Sequence, residues 1–438
     1  GDVYKRQSEG WAGAAPHFKR RIGGTVDLCD GICDAKTIFE NDNKLGENER
    51  APNNPQMKNI LRLKIDENNQ PSFDDRSTAI SRSSQNMFEA LGIWEKIRQA
   101  STPISAIHVS DKGRFGFSHI SAKEEKVEAL GYVVINRVLG SVLLEELKSK
   151  NNITVLCPET IISIDEKEKF CELNLRSEDK SSSISIIKSK MLIVASGAKS
   201  GLHRMLGIGA NEIKYSQDAI IGNVQTEIPI DNRAFERFYD SGSIAFLPIE
   251  NNRSAFIWVL PDHQSQAMIN SSEVDFIESL QEEFGMRLGN LNKLGRRVLY
   301  PLTLTQAYRL KTKRSVLVGN AANGLHPIAA QGFNLGLRDV ATLADCIFSE
   351  IREGNFDENI GKIMNDYAIW RKSDHQKLGY FTDGLVKIFG SKYSSIGIIR
   401  NLGMLSLDFI PGFRRLFVRH TMGLAGRLPR LSRGIPYQ

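Results

Sequence analysis

The sequence has few cysteines and no long apolar segment. Its five cysteines are an odd number scattered over 438 residues, which argues against a disulfide framework and favours a reducing compartment. No run of about 18 apolar residues occurs, so we expect no transmembrane helix, and we find no signal-peptide pattern. These absences predict a cytoplasmic protein and leave open a peripheral attachment to the inner membrane.

Metal-ligand and nucleophile patterns are also lacking. The eight histidines show no H-x-x-x-H or H-E-x-x-H spacing, and no G-x-S-x-G occurs. Cys29 and Cys33 form a lone C-x3-C, for which a structural role is favoured over a metal site. The net charge of +6 is too small to indicate a nucleic-acid partner. We predict no bound metal and no nucleic acid.

Short apolar runs alternate with helical patterns in much of the chain. MLIVA (191–195) and SVLVGN (315–320) are typical of buried parallel strands, and a helix is expected near 334–351. Residues 216–310 instead contain β-like runs such as SAFIWVL (254–260). This order predicts an α/β fold, in which a doubly wound domain carries an inserted antiparallel sheet.

The stretch VLVGNAANGLHPIAAQGFNLGLRD (316–339) joins an apolar strand to a helix through many small residues. Gly319 and Gly332 permit close backbone approach, and the helix start offers N–H groups with a positive dipole end. The Asn320 amide is suited to a polyol hydroxyl, and Pro327 stiffens the loop. From these residues alone, a tightly packed strand–helix turn remains the alternative.

This stretch resembles the second FAD signature of the class A flavoprotein aromatic hydroxylases, G-D-A-A-H-x-x-x-P-x-x-G-Q-G-x-N-x-G-x-x-D. It is most similar to the ubiquinone-biosynthesis hydroxylases, above all the 2-polyprenyl-6-methoxyphenol hydroxylase (UbiH) type, in which Asn often replaces the Asp. Four further stretches resemble family segments in the right order: PSFDDRSTAIS (71–81), IHVSDKGRFG (107–116), ALGYVVINRVLGSVLLEEL (129–147) and GLAGRLPRLSRG (423–434).

The resemblance implies the p-hydroxybenzoate hydroxylase-like fold, with an FAD/NAD(P)-binding Rossmann-like domain and an inserted substrate sheet. We expect the FAD-binding domain at 1–82, 128–210 and 300–372, the substrate domain at 83–127 and 211–299, and a helical, basic C-terminal tail at 373–438. The implied reaction is reduction of FAD by NAD(P)H and formation of a flavin C4a-hydroperoxide with O2. Hydroxyl transfer to a polyprenylated phenol follows. The cofactor carries out the difficult chemistry, so no catalytic side chain is named.

The resemblance also implies particular cofactor contacts. Asn320 is expected at the flavin ribitol and Pro327 near the reactive face of the isoalloxazine. The remaining expected positions are Gly197, Gly319, the backbone of Ala330, Gln331, Gly332, Phe333 and Asn334, and the side chains of Arg76 and Arg137. For the two arginines, a surface or structural salt bridge remains the alternative reading of the residues themselves.

Three departures from the family pattern stand out. Ala330 replaces the first Gly of P-x-x-G-Q-G, and Ser196 replaces the Asp of the central D-G motif. The fingerprint G-x-G-x-x-G is reduced to SEGWAG (8–13), which retains Gly10 and Gly13. TVDLCD (25–30) would then be the second strand and would place Asp30 at the ribose; ILRLKID (60–66) is a rival for this strand.

A truncation or frameshift would explain the degraded fingerprint. Two alternatives to the implied activity follow. One is a sister ring hydroxylase that acts at another ring position, and the other is a non-catalytic structural or assembly protein with impaired FAD binding.

The end of the chain is strongly basic. Residues 400–438 contain seven arginines and a single acidic residue, Asp408. This pattern favours contact with a membrane surface or with other ubiquinone-pathway proteins, and a solvated helical surface is the alternative.

Overall fold

The computed structural model describes nine stretches of the chain: residues 24–27, 76–113, 117–156, 159–177, 184–197, 200–250, 252–324, 331–389 and 411–437. Within five of its elements, at 24–27, 171–177, 331–352, 360–389 and 411–421, some or all side chains are not described. Every structural statement below refers to these residues.

Strands and helices are numbered in chain order. The strands are β1 Gly24–Asp27, β2 Ser77–Ser81, β3 Ser101–Ile104, β4 Ala106–Asp111, β5 Phe117–Ser121, β6 Gly131–Ile135, β7 Glu159–Glu166, β8 Cys171–Ser177, β9 Ile184–Ser189, β10 Met191–Val194, β11 Ala210–Thr226, β12 Arg233–Tyr239, β13 Gly242–Pro248, β14 Arg253–Pro261, β15 Leu291–Asn292, β16 Val298–Ala307, β17 Ser315–Leu317 and β18 Asn323–Gly324. The helices are α1 Arg82–Ala90, α2 Trp94–Arg98, α3 Asn136–Lys148, α4 Leu202–Met205, α5 Asp262–Asn270, α6 Glu273–Phe284, α7 Gln331–Arg352, α8 Ile360–Phe389 and α9 Pro411–Thr421.

A parallel sheet with the order β1-β10-β17 forms the centre of the α/β part. Its strands β10 and β17 are almost entirely buried, as their continuous apolar runs predict. Strand β17 ends at Leu317, three residues before the predicted end at Asn320, because the chain turns into a short 3-10 helix at Gly319–Ala321. Strand β1 begins at Gly24, one residue before the start of the predicted strand at Thr25, and it pairs directly with β10.

A large sheet with the order β18-β16-β11-β14-β13-β12-β4-β5 corresponds to the predicted inserted sheet, and β15 pairs with β11 beside it. It is mixed rather than purely antiparallel, because β12 pairs parallel with β4. A parallel pair needs a long crossover. The chain between these two strands passes through the parallel sheet, so it supplies that crossover.

The two faces of the large sheet have different partners. The outer face packs against α6 through a cluster of aromatic rings that includes Phe246, Phe256, Phe276 and Phe284. The inner face is turned towards the antiparallel sheet β2-β6-β3 and α9, where Leu247 belongs to the same apolar cluster as other side chains from these elements. The inner face is therefore the one that meets the rest of the protein.

Four local features differ from the sequence-based expectations. The amphipathic pattern of residues 86–97 predicts one short helix, but the structure divides this region between α1 and α2, since Gly92 adopts φ +74° between them. The antiparallel sheet β7-β8-β9 was not predicted. The apolar run ITVL (153–156) predicts a strand, but it forms only isolated bridges. Helix α8 is continuous across residue 373, the expected start of the C-terminal tail.

Candidate active site

Two glycines lie at the carboxyl ends of neighbouring parallel strands. Val194 of β10 and Leu317 of β17 are register partners, so Gly197 and Gly319 follow the sheet at the same edge. Both adopt left-handed conformations, with φ +81° and φ +59°, which favour glycine. Ligands of doubly wound sheets bind at this edge, outside the carboxyl ends of the strands.

A buried carboxylate holds the Gly319–Asn320 turn. The Gly319 N–H donates to Asp339 Oδ2 at 2.9 Å, and Asp339 is fully buried on α7. The other oxygen of Asp339 accepts from Arg371 Nε at 2.7 Å and lies 2.7 Å from His375 Nε2, both on α8. Burial alone would raise the pKa of Asp339, but the charges of His375 and Arg371 hold it below its usual value.

This ionic cluster of Asp339, Arg371 and His375 was not predicted from the sequence. Asp339 is the last residue of the signature-like stretch, but its partners lie more than 30 residues further along the chain. Their spacing of i and i+4 places both on one face of α8, which was the available signal.

The start of α7 carries four of the predicted contact positions. The helix begins at Gln331, three residues before the expected start, and first-turn N–H groups have no acceptor within the helix. The Asn334 side chain accepts from Ser81 N at 2.9 Å and Ser84 Oγ at 2.8 Å, and it donates to Ala79 O at 3.0 Å. The amide of Asn334 therefore fixes α7 against β2 and α1, and Phe333 is buried in an apolar cluster next to it.

Arg76 and Arg137 lie close together at the junction of β2 and α3. The Asn136 N–H donates to the Arg76 carbonyl at 2.7 Å, and Arg137 is the next residue, exposed in the first turn of α3. The Arg76 guanidinium donates to the Tyr300 hydroxyl and lies 5.5 Å from the centroid of that ring. Arg76 thus joins the junction of β2 and α3 to β16 of the large sheet.

The other predicted contacts lie outside the described residues. These are Gly10, Gly13, Asp30, Pro327 and Ala330, and the side chain of Gln331. Their roles remain predictions.

The inner face of the large sheet contains a partly exposed row of side chains, which we call the inner trough. Its members are register partners on six strands: Val109, Glu236, Ala245, Ile257, Ile221 and Val298. Each is partly exposed, whereas the adjacent rows on β12, β13 and β14 are buried. Over β12, β13 and β14 the trough is therefore an opening between two buried rows.

Glu236 is the one ionisable side chain of the inner trough. Burial raises the pKa of its carboxyl to about 7, and a hydrogen bond with Ser243 partly opposes this rise. The sequence did not indicate this residue, because the alternating pattern of RAFERFY does not show which face meets another part of the protein.

The described site fits a dinucleotide cofactor. The two left-handed glycines leave backbone bare at the strand ends, and the start of α7 provides N–H donors for an electron-rich group. The carboxylate that fixes the turn is neutralised by its ion pair with Arg371, so it does not oppose an anionic cofactor at the surface of the site.

Comparisons with known proteins agree with this geometry. The model of the FAD binding domain family matches residues 60–359. Ubiquinone hydroxylase UbiL from Rhodospirillum rubrum is 32% identical over 367 residues, which cover 83% of this chain and 84% of that protein. The chain belongs to the FAD-dependent ring-hydroxylase family of ubiquinone biosynthesis.

A second relative of this ring hydroxylase is 3-demethoxyubiquinol 3-hydroxylase from Escherichia coli K12, which is 27% identical over 354 residues. The alignment covers 80% of this chain and 88% of that protein. Among solved structures, p-nitrophenol 4-monooxygenase PnpA from Pseudomonas putida DLL-E4 superimposes with a TM-score of 0.69 at 13% identity. The superposition covers 97% of this chain and 96% of the PnpA chain, which confirms the predicted fold.

These matches confirm FAD as the cofactor of this ring hydroxylase, with NAD(P)H as the reductant typical of the family. In the described part of the chain, no helix is both long and apolar enough to cross a membrane. Over the same residues, no group of three or more His, Cys, Asp or Glu side chains is placed to hold a metal ion.

Proposed function

We propose that this protein hydroxylates the aromatic ring of a polyprenylated methoxyphenol in ubiquinone biosynthesis, with FAD, NAD(P)H and O2. The observation that carries the proposal is the connection between the glycine-rich stretch and the large sheet. Asn323 and Gly324 of β18 pair with Gln306 and Thr305 of β16, the strand that also contributes Val298 to the inner trough. A flavin held by this stretch would be next to the sheet that carries the trough.

The chain's own residues would position the cofactor. In this proposal Gly197 and Gly319 provide bare backbone and Asn320 binds the ribitol, while the N–H groups of Gln331, Gly332, Phe333 and Asn334 face the N1/O2 edge of the flavin. Arg76 and Arg137 approach the cofactor from β2 and α3, and Pro327 and Ala330 complete the loop. Gly10, Gly13 and Asp30 are proposed for the ADP end. When bound and reduced, FAD activates O2 for transfer of one oxygen atom to the ring.

The inner trough has the character of a site for a substituted aromatic ring. Five of its six members are apolar, and the rows beside it are buried. Apolar walls exclude water from the reacting oxygen, which limits its loss in side reactions. Ligand sites of this kind combine a mostly apolar lining with few polar groups.

Purified protein reconstituted with FAD tests the proposal. We expect flavin absorbance, NAD(P)H-dependent O2 uptake and a hydroxylated product from a 2-prenyl-6-methoxyphenol, identified by mass spectrometry and NMR. Protein that fails to retain flavin after added FAD would contradict the proposal and support a structural or assembly role.

A sister activity at another ring position is the second candidate. It is favoured by the similarity to the Escherichia coli protein named 3-demethoxyubiquinol 3-hydroxylase. Product analysis with a demethoxyubiquinol and with the methoxyphenol separates the two, since only the preferred substrate gives tightly coupled hydroxylation.

We further propose that the basic C-terminal tail (373–438) docks to a membrane surface or to other ubiquinone-pathway proteins. Two arginines of the tail have intramolecular partners. Arg414 pairs with Glu124 and Glu125, and Arg427 lies 3.7 Å from the centroid of the Trp370 ring. Arg415 and Arg419 remain exposed on α9. Within the described part of the tail, we take α9 as the proposed contact surface, because it presents these two exposed arginines on one short helix.

A further inference from the structure

The inner trough contains a carboxyl group that the chemistry described so far does not use. Glu236 lies on β12 between two apolar register partners, Val109 on β4 and Ala245 on β13. The rows above and below it on β12 contain Ala234 and Phe238, which are both buried. An acidic side chain in such a position is costly, because an ionised carboxylate loses its hydration there.

Few charged groups face Glu236. On the same face of the sheet, Asp111 is the register partner of Phe238, and Arg253 lies at one end of β14. Tyr300 of β16 also lies on this face, and its hydroxyl accepts a hydrogen bond from Arg76. The elements that pack against this face contribute apolar side chains, namely Ala79, Val133, Val418 and Met422. In the neighbouring loop, Glu124 and Glu125 are paired with Arg414. Burial, and not a charged partner, is therefore the main influence on the pKa of the Glu236 carboxyl.

We propose that Glu236 is the general base that accepts the phenolic proton of the substrate, an inference that rests on the proposed function. A phenol ring placed along Ala245, Ile257 and Ile221 would have its hydroxyl at the Glu236 end of the trough. General bases are most effective when their pKa lies near the working pH, and burial brings this carboxyl there.

The proposed step balances as follows. The phenolic O–H bond breaks, its proton moves to a Glu236 Oε atom, and the electron pair stays on the phenolic oxygen. The more electron-rich ring carbon then forms a C–O bond to one atom of O2, the O–O bond breaks, and the other oxygen leaves as water. NAD(P)H supplies a hydride through FAD and the solvent supplies one proton, and together they provide the two electrons of the reduction and the two hydrogens of the water. The C–H proton of the ring passes to the newly bound oxygen as aromaticity returns, and Glu236 returns its proton to the phenolic oxygen.

The pH dependence of hydroxylation tests the inference. For the wild-type holoenzyme with a 2-prenyl-6-methoxyphenol, kcat should rise through about pH 7 and then level off, because the base must be unprotonated. In Glu236→Gln the rise should disappear and hydroxylation should slow by about 10²–10⁴-fold, the usual contribution of a general base. FAD content and the rate of flavin reduction by NAD(P)H should not change. A Glu236→Gln enzyme with the wild-type pH profile would overturn the inference.

A substrate that is already ionised separates a base from a structural residue. A ring-fluorinated analogue, assayed above the pKa of its phenol, should restore Glu236→Gln towards the wild-type rate. If Glu236→Gln slowed hydroxylation of the fluorinated analogue as much as that of the 2-prenyl-6-methoxyphenol, the inference would also be overturned. Glu212→Gln is a matched control, because Glu212 is exposed on β11 of the same sheet, and it should behave as wild type.

The failure of the inference can be told apart from failure of the proposed function. If the reduced wild-type enzyme forms no hydroxylated product, the proposed function is wrong. Glu236 is then tested with 4-nitrophenol, whose phenolate absorbs visible light. Two neighbouring acids titrate as a coupled pair, so bound nitrophenol should ionise at higher pH in the wild type than in Glu236→Gln. Identical titrations would contradict a contact between Glu236 and the phenol.

Discussion

Asp339 shows how one buried residue can hold the Gly319–Asn320 turn of the candidate site. Its carboxylate is fully buried and accepts from the Gly319 N–H and from Arg371, with His375 at hydrogen-bonding distance. Buried ions are tolerated only where they are paired and hydrogen-bonded. We infer that the cluster fixes the Gly319 turn relative to α8, so Asp339 is a positioning residue.

Replacement of Asp339 by Asn should be strongly destabilising, because it removes the fully buried carboxylate that pairs with the buried Arg371 and leaves that guanidinium with Asp374 as its carboxylate partner. We expect the free energy of unfolding at pH 7 to fall by about 3–5 kcal/mol in urea denaturation, together with weaker FAD binding in a fluorescence titration. Asp357→Asn is the control. Its exposed ion pair with Lys190 should contribute no more than about 1 kcal/mol.

The pH dependence gives this prediction a definite sign. The pKa of Asp339 is lowered, so its contribution is present above the unfolded-state value and is lost only as the pH falls through the lowered pKa. The difference in the free energy of unfolding between Asp339→Asn and the wild type should therefore persist from pH 7 to pH 5 and decrease in stronger acid. Equal stability of the two proteins at pH 7 would contradict the role of Asp339.

At the scale of elements, the sequence predicted strands more reliably than their arrangement. β10 and β17 were recognisable because a strand buried on both faces is a continuous apolar run. The parallel pairing of β4 with β12 was not, because it joins segments more than 100 residues apart and leaves no local pattern. The same reason hid the inner trough, which exists only where six strands are in register.

The site was predictable to a similar extent. The glycine-rich stretch indicated Gly319, Asn320 and the start of α7, since small residues between a strand and a helix form a local signal. The partners of Asp339 could not be identified in this way, because they depend on how α8 packs against α7. The structural role of Asn334 likewise depends on contacts with β2 and α1.

Charge reversal on α9 tests the docking proposal for this element. Arg415→Glu combined with Arg419→Glu should reduce flotation of the protein with vesicles that contain phosphatidylglycerol. Each basic residue near an anionic surface contributes about 1 kcal/mol, so we expect at least a tenfold weaker partition. Arg433→Glu, an exposed position beyond α9, is the control and should have a smaller effect. Unchanged flotation of the double variant would contradict docking through α9.

At the scale of the whole molecule, the proposed oxygen transfer requires the glycine-rich stretch of the candidate site and the large sheet to remain in contact. β18 pairs with β16, and Arg76 donates to the Tyr300 hydroxyl on the same strand, near the inner trough. Reactive oxygen that is not transferred to a substrate is lost to water, so closure of this contact should determine the coupling of NAD(P)H oxidation to hydroxylation.

Tyr300→Phe should loosen that contact, because it removes the hydroxyl that accepts from Arg76 while it keeps the ring. Hydrogen bonds to charged groups contribute about 1.5–3 kcal/mol, enough to populate less closed arrangements. We expect unchanged FAD content, but a smaller fraction of the oxidised NAD(P)H should appear as hydroxylated product and a larger fraction as hydrogen peroxide. Tyr308→Phe, on a side chain that is 73% exposed just beyond β16, should keep the wild-type ratio. If both variants show the wild-type ratio, coupling does not depend on the Arg76–Tyr300 contact, and the pairing of β18 with β16 would have to maintain the closure by itself.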